Sequence, residues 1–285
     1  MSSVILSPVG TSLLSNFINA SESDRCDYCR EIIEKYRDRD PRSWPRLSVE
    51  DERNRFPGGF LCSFVEGTDL FDSLMRFVED VGPRACAELS GIEAITQLYG
   101  LVRSETTIVL LPTQTCNSDL CARVLEKALR GVFRGVEVVR LRSVGRVEDF
   151  EEFAIEVLDK VVKRVLSERR RGRRVFINAA PGFKAEVSFL VLASILAGAT
   201  GVVYIHEAFR EGIALPLPPI KLDRGRLEPL LRVLGDRECI DYGYALEQLG
   251  EEQVAELRDR GVVTTKSRGE LCVRKWVRKL LELEL

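Results

Sequence analysis

The sequence predicts an α/β protein in which a parallel sheet is covered by helices on both faces and is followed by a smaller helical domain. Short apolar, β-branched runs alternate with long amphipathic runs as far as about residue 205. A proline-rich linker then interrupts the alternation, and two helical patterns, a hairpin and a last helix follow it. We therefore expect a Rossmann-like domain over residues 1–212 and a winged helix-turn-helix domain over residues 213–285.

The chain begins with the apolar strand VILSPV, which runs into a turn at residues 10–12 and a helix from about Leu13. Residues 37–60 are polar and broken by prolines, which predicts an irregular connection. The later predicted elements are helices over 68–82 and 83–100, a strand over 106–113, a loop over 114–118, a helix over 119–132, a strand over 136–142, a helix over 147–170, a strand over 174–179, a helix from Phe183 and a strand over 201–207.

Composition and charge exclude several classes of protein. The chain has 285 residues, 45% of them hydrophobic, and a net charge of −2, so it can bury a full core but has no global basic field for nucleic acid. The longest apolar run, residues 187–205, is broken by glycines near its end, so we predict no membrane span. The N-terminal residues MSSVILSPVG have no basic region, so we expect no signal peptide and a cytoplasmic location.

Eight cysteines are present, and their spacing gives a single C-x-x-C, at Cys26 and Cys29. A zinc site needs a second such pair, so none is predicted. Most of the cysteines are expected to be small core residues. Cys116 and Cys121 form a disulfide in one alternative, which applies if the source is a hyperthermophile.

Three loops with small or polar residues follow predicted parallel strands: Gly10-Thr11-Ser12, Thr113-Gln114 and Pro181-Gly182-Phe183-Lys184. Because parallel strands end at the same edge of a sheet, we expect these loops to lie together and to bind a ligand. The sequence contains neither G-x-G-x-x-G nor a P-loop, so an ordinary dinucleotide or nucleoside triphosphate site is not predicted.

Lys184 stands at the predicted start of a helix, where a cation is disfavoured by roughly 0.3 to 1 kcal/mol. A phosphate bound at the Gly182 and Phe183 amides offsets that cost, and Lys184 then lies above it. The alternative is a lysine that extends into solvent. Arginine far outnumbers lysine in this chain, which favours a specific role for a compact ammonium at this position.

The C-terminal pattern permits two interpretations. In one, the second helix, EEQVAELRDRG, and a basic wing with Lys266 and Arg268 bind DNA. In the other, the domain serves in dimerisation or docking. We favour the second interpretation because the helix is acidic and phosphates repel it.

Four motifs together resemble the CARF domains, the CRISPR-associated Rossmann-fold sensors of cyclic oligoadenylates. They are SPVGTSLLSN at 7–16, LLPTQT at 110–115, INAAPGFKAE at 177–186 and VVYIHEAF at 202–209. The resemblance spans most of the first 210 or so residues. Many relatives have Gly-Gly before the aromatic residue of the third motif, whereas this chain has Ala-Pro-Gly-Phe, so Pro181 stiffens the turn.

Many CARF proteins carry a HEPN ribonuclease domain, whose catalytic pattern is Arg, four residues, then His. The single histidine here is His206, and Gly201 stands where the arginine belongs, so that class is excluded. A CARF domain with a winged helix resembles instead the ring nucleases that degrade cyclic tetra-adenylate and end antiviral signalling. That resemblance implies a homodimer with the ring across its two-fold axis and cleavage without metal or cofactor. The sequence agrees, because no cluster with metal-ligand spacing lies in the three loops.

The site residues follow from these loops and from the resemblance. The expected catalytic residues are Lys184, which neutralises charge on the phosphate, and Ser12, which holds the ribose or phosphate in line for attack by the 2′-OH. The expected ligand-binding residues are Gly10, Thr11, Thr113, Gln114, Asn178, Pro181, Gly182 and Phe183.

Several of these residues have a plainer interpretation. Ser12 is only a helix N-cap in one alternative, and Asn178 only completes a turn. Thr113 and Gln114 are expected to shape the loop more than to act in chemistry. His206, at the end of an apolar strand, is expected to be a structural or interface residue.

Two other functions use the same pocket. A transcription regulator senses the ring and binds DNA through the winged helix, and a sponge binds the ring without cutting it. The acidic second helix favours the nuclease over the regulator.

Overall fold

A computed structural model describes residues 2–22, 26–206, 211–266 and 269–283. The chain divides into two compact units, Met1–Pro218 and Pro219–Leu285. Residues 207–209 of the fourth motif and Arg268 of the expected wing lie outside the described residues.

The first unit contains an α/β sheet of six strands. Its strands are β1 (Ser3–Val9), β2 (Thr106–Pro112), β3 (Gly135–Val138), β4 (Arg174–Asn178), β5 (Gly201–Ile205) and β6 (Gly212–Ala214). Its helices are α1 (Ser12–Ser21), α2 (Asp27–Lys35), α3 (Asp69–Val81), α4 (Ala87–Leu98), α5 (Cys116–Leu129), α6 (Phe150–Glu156), α7 (Lys163–Arg170) and α8 (Lys184–Leu196). The strand order is β3-β2-β1-β4-β5-β6, parallel except for the β5–β6 pair, which confirms the predicted α/β fold.

The apolar runs form the centre of this sheet because both of its faces are covered. Every residue of β1 and β2 is buried, and Ile5 lies opposite Ile108 on one side and Phe176 on the other. Ile5 belongs to the large core cluster that includes Phe17 and Trp44, whereas the adjacent Val4 and Leu6 point to the opposite face.

The strand order creates a switch point beside the central strand. From β1 the chain moves outward to β2 and β3, then returns across the sheet to β4 on the other side of β1. The loops after β1 and β4 therefore run in opposite directions and leave a crevice at the carboxyl end of the sheet. Ligands of this fold class bind in that crevice, so the topology places the first and third predicted loops together.

Several elements differ from the prediction. Helix α2 and strand β6 were not predicted, and α5 begins at Cys116, inside the loop predicted over residues 114–118. The helix predicted over 147–170 is divided into α6 and α7 by a π-helical stretch, Val157–Val162. Strand β6 pairs with β5, so the sheet extends past residue 212, and the first unit ends at Pro218.

The second unit is a small α/β body. Its elements are α9 (Glu228–Leu234), β7 (Cys239–Asp241), α10 (Tyr242–Leu249), α11 (Glu251–Asp259), β8 (Val263–Lys266), β9 (Glu270–Val273) and α12 (Lys275–Glu282). The expected pair of helices, hairpin and final helix are present, and β7 adds a third strand in the antiparallel order β7-β9-β8. Leu230, Val254 and Leu271 are buried in its own core.

The cysteine pairing differs from the prediction. Disulfides join Cys26 to Cys29, Cys62 to Cys116 and Cys239 to Cys272. The alternative of a Cys116–Cys121 disulfide is wrong: Cys121 is a free, buried thiol. The two residues are five positions apart on α5, so their side chains point about 140° apart around the helix axis. Cys116 instead forms a disulfide with Cys62, which links the residues just after the irregular connection to α5.

The second-unit cysteines also lie near a carboxylate. Ligand atoms of Cys239, Glu270 and Cys272 come within 4.8 Å of one another. Because the two sulfurs share a disulfide, they do not act as thiolate ligands in this state.

Among the described residues, the helices are too short or too polar to cross a lipid bilayer.

Candidate functional site

A cavity of about 720 Å³ opens at the carboxyl ends of β1, β2 and β4. Five segments form most of its wall: Val9–Ser12 after β1, Pro45–Val49 of the irregular connection, Thr113 and nearby residues after β2, Ser143–Gly145, and Ala180–Phe183 after β4. The cavity therefore occupies the crevice that the strand order creates.

Most of the predicted site residues line this cavity. Those present are Gly10, Thr11, Ser12, Thr113, Pro181, Gly182 and Phe183. Three predicted residues, Gln114, Asn178 and Lys184, are not part of its wall.

The loops after β1 and β4 approach each other closely. A Cβ atom built on Gly10 lies 3.4 Å from the Gly182 amide nitrogen. Gly182 has a φ of +105°, and a Cβ there lies 2.8 Å from a methyl group of Val187. A side chain at Gly182 is therefore strained in conformation and obstructed in space, which explains the glycine at this position.

The helix that follows Gly182 begins at Lys184. Among the described residues, no acceptor is found for the amides of Gly182 and Phe183, and Phe183 has 64% of its surface exposed. Lys184 is exposed on the first turn of α8, and within the described chain its ammonium has no ion-pair or hydrogen-bond partner. The structure thus puts Lys184 beside the cavity mouth, not within the wall.

Ser12 is held by a buried carboxylate that the sequence analysis missed. The Ser12 hydroxyl donates to Glu88 Oε2 at 2.8 Å, and the Gly10 amide donates to Glu88 Oε1 at 2.7 Å. Glu88 belongs to α4 and is only 1% exposed. The N-cap position of α1 is Thr11, so the interpretation of Ser12 as the cap is wrong.

Asn178 and Gln114 form hydrogen bonds within the protein and do not line the cavity. Asn178 is fully buried: its amide group donates to Ser7 Oγ and the Glu88 carbonyl, and its Oδ1 accepts from the Ala180 amide. This bonding agrees with the alternative that Asn178 completes a turn. The Gln114 side chain is exposed, and its backbone amide donates to the Leu141 carbonyl.

The irregular connection contributes Arg46, the one cationic side chain among the described residues of the wall. Arg46 is exposed and has no ion-pair partner in the described parts of the chain. An unpaired guanidinium facing a cavity is a suitable group for phosphate, which it binds through two parallel hydrogen bonds.

Side-chain amides hold the backbone that carries Arg46. The Trp44 carbonyl accepts from Asn117, and the Pro45 carbonyl accepts from the Thr11 hydroxyl. The carbonyls of Leu47 and Ser48 both accept from the Asn54 amide group at 3.0 and 3.1 Å. This stretch has no strand partner, so these bonds replace the ladder that positions the sheet residues.

Glu186 places a second acid on the cavity wall, in the first turn of α8. Burial raises its pKa to about 7, although a hydrogen bond with the Val144 backbone acts in the other direction. Glu186 is thus partly neutral near physiological pH. Its carboxylate form also supplies a negative charge at the helix N-terminus, a position that the sequence analysis assigned to a bound phosphate.

The sequence carried weak signals for the residues that were missed. Glu88 interrupts the apolar pattern ACAELSGI, and an acid on the buried face of a helix marks a polar network. Arg46 follows Pro45 in a stretch without periodicity, so no pattern relates it to the sheet. His206, which was expected to be structural, is half-buried, does not line the cavity, and donates its backbone amide to the Glu211 carbonyl.

Fold and cavity together define an α/β protein with a candidate ligand site at the switch point of a Rossmann-like sheet. A family model described as "CRISPR-associated protein (Cas_APE2256)" matches residues 83–218. The matched region includes Glu88, Thr113 and the loop after β4, and it begins after Ser12 and Arg46. The match supports a CRISPR-associated protein.

Proposed function

We propose that this protein is a CARF-type ring nuclease that binds and cleaves cyclic tetra-adenylate. The observation that carries the proposal is the convergence of two loops, Gly10–Ser12 and Pro181–Phe183, on one cavity at the switch point. The CRISPR-associated family match over residues 83–218 supports the same assignment at a coarser level. An antiviral signal molecule is a suitable ligand for such a protein.

In this proposal the ring supplies its own nucleophile. A ribose 2′-OH attacks the adjacent phosphodiester and leaves a 2′,3′-cyclic phosphate and a free 5′-hydroxyl, if the attacking and leaving oxygens are in line. The Gly182 and Phe183 amides are oriented at a helix start, where backbone N–H groups favour an anion. Lys184, which is exposed and unpaired among the described residues, swings over the phosphate and neutralises its growing charge.

Two further groups are proposed to bind the ring. The exposed Phe183 ring stacks on an adenine, and Arg46 contacts a phosphate from the other side of the cavity. The described lining offers no histidine or cysteine to a metal, and Glu88 already accepts from Gly10 and Ser12. Glu186 is the other carboxyl group of that lining, and cleavage without metal is part of the proposal because the resemblance implies it.

The ring is proposed to lie across the two-fold axis of a homodimer, so that two protomers contribute the same loops. Each protomer then supplies one Ser12 and one Lys184. In this arrangement Lys184 reaches the ligand from the cavity mouth and does not need to line the cavity of a single chain.

The second unit is proposed to be a winged helix that supports the dimer. Its order of helices and strands fits that class. Glu251 and Glu252 are exposed on α11, and Glu256 of the same helix pairs with Arg226 and Arg260. These acidic groups disfavour a phosphate backbone, so DNA binding by α11 is not favoured.

Incubation of the protein with cyclic tri-, tetra- and hexa-adenylate in the presence of EDTA, followed by chromatography, tests the proposal. Cyclic tetra-adenylate is expected to give linear products that end in a 2′,3′-cyclic phosphate. Tight binding with intact ring recovered indicates a sponge instead. A salt-dependent, operator-specific gel shift without products indicates a transcription regulator.

A further inference from the structure

We propose that Glu88, acting through Ser12, makes the Ser12 hydroxyl an acceptor for a ribose 2′-OH, so that the Glu88–Ser12 pair selects RNA-type rings. This inference rests on the proposed function and assigns to the same site a positioning residue that no sequence motif marks.

The hydrogen bonds around Ser12 leave one position open. A serine hydroxyl has one proton to donate and two lone pairs to accept with. The proton is directed to Glu88 Oε2 at 2.8 Å, and one lone pair accepts from the Ala87 amide at 3.0 Å. Ser12 lines the cavity, so its remaining lone pair is available to a ligand that donates.

Glu88 determines the direction of its hydrogen bond with Ser12. The carboxylate is 1% exposed and, among the described residues, has no cationic partner. Glu88 Oε1 accepts from the Gly10 amide and Oε2 accepts from the Ser12 hydroxyl, so both carboxyl oxygens act as acceptors and the proton of the second bond belongs to Ser12. The thiol of Cys86 lies against the same group, and burial together with the Glu88 charge raises the pKa of that thiol well above its ordinary value.

The same bonds divide the cavity between two kinds of ligand group. The Gly10 amide is already engaged by Glu88 Oε1 and the Ser12 proton by Glu88 Oε2, so neither of these two donors is free for a phosphate. On the neighbouring loop after β4, the amides of Gly182 and Phe183 have no acceptor among the described residues. We therefore assign the hydroxyl of the ribose to the Ser12 corner and the phosphate to the start of α8.

The chemical step then has a defined path for its proton. The 2′-OH gives its proton to Ser12 Oγ as the Ser12 proton passes to Glu88 Oε2. The 2′-oxygen forms a bond to phosphorus, the bond from phosphorus to the 5′-oxygen breaks, and that oxygen leaves with the electron pair. The 5′-oxygen takes a proton from water, and Glu88 returns its proton to solvent by way of Ser12, so no other reactant is consumed.

The variant Glu88→Gln is expected to reverse the hydrogen bond to Ser12. The Gly10 amide requires an oxygen opposite it, which turns the introduced NH₂ group toward Ser12. Ser12 then accepts from the amide and directs its own proton into the cavity. In this variant Ser12 can bond a ligand group that only accepts hydrogen bonds, and it no longer favours a ligand group that donates one.

The test compares the binding of cyclic tetra-adenylate with that of its 2′-fluoro counterpart, in which fluorine accepts weakly but cannot donate. Single-turnover cleavage gives the half-saturation concentration and rate for the ribose ring, and equilibrium titration gives the affinity of the fluoro ring. Wild type is expected to prefer the ribose ring by about 3-fold to 10-fold, the usual worth of one net hydrogen bond. Glu88→Gln and Ser12→Ala are both expected to remove most of this preference.

Ser90→Ala is the matched control, since Ser90 lies on the same helix and its hydroxyl bonds the Pro83 carbonyl outside this cavity. Thermal unfolding checks that each variant is folded. If Glu88→Gln is not folded, the ribose preference of Ser12→Ala tests the inference. A wild type that cleaves the ring without preferring ribose, or a folded Glu88→Gln or Ser12→Ala variant that keeps the wild-type preference, overturns this inference alone. A wild type that binds no cyclic oligoadenylate overturns the proposed function and this inference with it.

Discussion

The two sides of the cavity are built in different ways. On one side, the loops after β1 and β4 are positioned by neighbouring parallel strands, whose hydrogen-bond ladder fixes where each loop starts. On the other side, residues 45–49 have no ladder and depend on the side chains of Asn54, Asn117 and Thr11. The first side carries groups proposed for the chemistry, and the second carries Arg46. The difference teaches that the reaction is assigned to the side positioned by strands, called here the ladder side, and that ligand capture is assigned to the side without a ladder, called here the irregular side.

The largest effect is expected on the ladder side. Lys184→Ala is expected to lower the single-turnover rate of ring cleavage by about 100-fold to 1000-fold, the usual cost of losing one group that stabilises transition-state charge. The affinity for the ring is expected to change much less, since the Gly182 and Phe183 amides remain. Lys221→Ala, which removes another exposed lysine, is the control. An unchanged rate for Lys184→Ala would remove this residue from the mechanism.

The next largest effect is expected for Asn54, which holds the backbone of the irregular side. Asn54 is fully buried, donates to the Leu47 and Ser48 carbonyls, and accepts from the Asn117 amide. Asn54→Ala leaves these groups unpaired, so the free energy of unfolding is expected to fall by about 2–4 kcal/mol in urea titrations. Asn19→Ala, at an exposed position of α1, is expected to change it by less than about 0.5 kcal/mol. Equal stability of the two variants would show that the side-chain amides do not hold this segment.

A smaller effect is expected for Arg46, the positively charged residue on the irregular side. Arg46→Ala is expected to weaken ring binding by about 10-fold, with little change in the rate at saturating ligand, because one charge-assisted contact is lost. Arg42→Ala is the matched control, since Arg42 is in the same segment but pairs with Glu22. A fall in the saturated rate with unchanged affinity would place Arg46 in the chemistry and break the division between the two sides.

The smallest effect is a dependence on pH. Burial raises the pKa of Glu186 to about 7, so its carboxyl group is mostly neutral below that pH and charged above it. Binding of an anionic ring is expected to weaken a few-fold as pH rises from about 6 to 8, and Glu186→Gln is expected to remove that dependence. Glu52→Gln, at an exposed position, should retain it. A pH dependence that persists in Glu186→Gln would assign it to another group.

The same shift predicts the direction of a stability change. The folded pKa of Glu186 lies above its ordinary value of 4.5, so between these two values the native state binds more protons than the unfolded state. The free energy of unfolding is therefore expected to fall as pH rises through this window. Urea titrations at pH 5 and pH 8 measure the free energy of unfolding of wild type and of Glu186→Gln. The variant is expected to exceed wild type by more at pH 8 than at pH 5, and a difference that does not widen would contradict the assignment.

The sequence predicts the ladder side well because local patterns encode it. The apolar runs of β1, β2 and β4 and the small residues after them locate the loops, and Gly10, Ser12 and Gly182 line the cavity as expected. Lys184 starts α8 as predicted, but the side chain lies outside the cavity wall. A helix start can be inferred from composition, whereas the direction of a long exposed side chain cannot.

The structure of the irregular side could not be predicted from the sequence, because its contacts join residues that are far apart in the chain. Asn54 meets Asn117, and Cys62 pairs with Cys116 across a separation of 54 residues. Glu88 reaches Gly10 and Ser12 from another helix. Neither a period of 3.6 nor a period of 2 carries such information. Only the folded structure brings these residues together.

The structure of the Lys184→Ala protein with bound cyclic tetra-adenylate tests the central claim most directly. The account predicts one ring between two protomers, with a ribose 2′-oxygen within about 3 Å of Ser12 Oγ and a phosphate at the Gly182 and Phe183 amides. A ring bound elsewhere, or a phosphate against Glu88 and Ser12 with the ribose turned away, would contradict it.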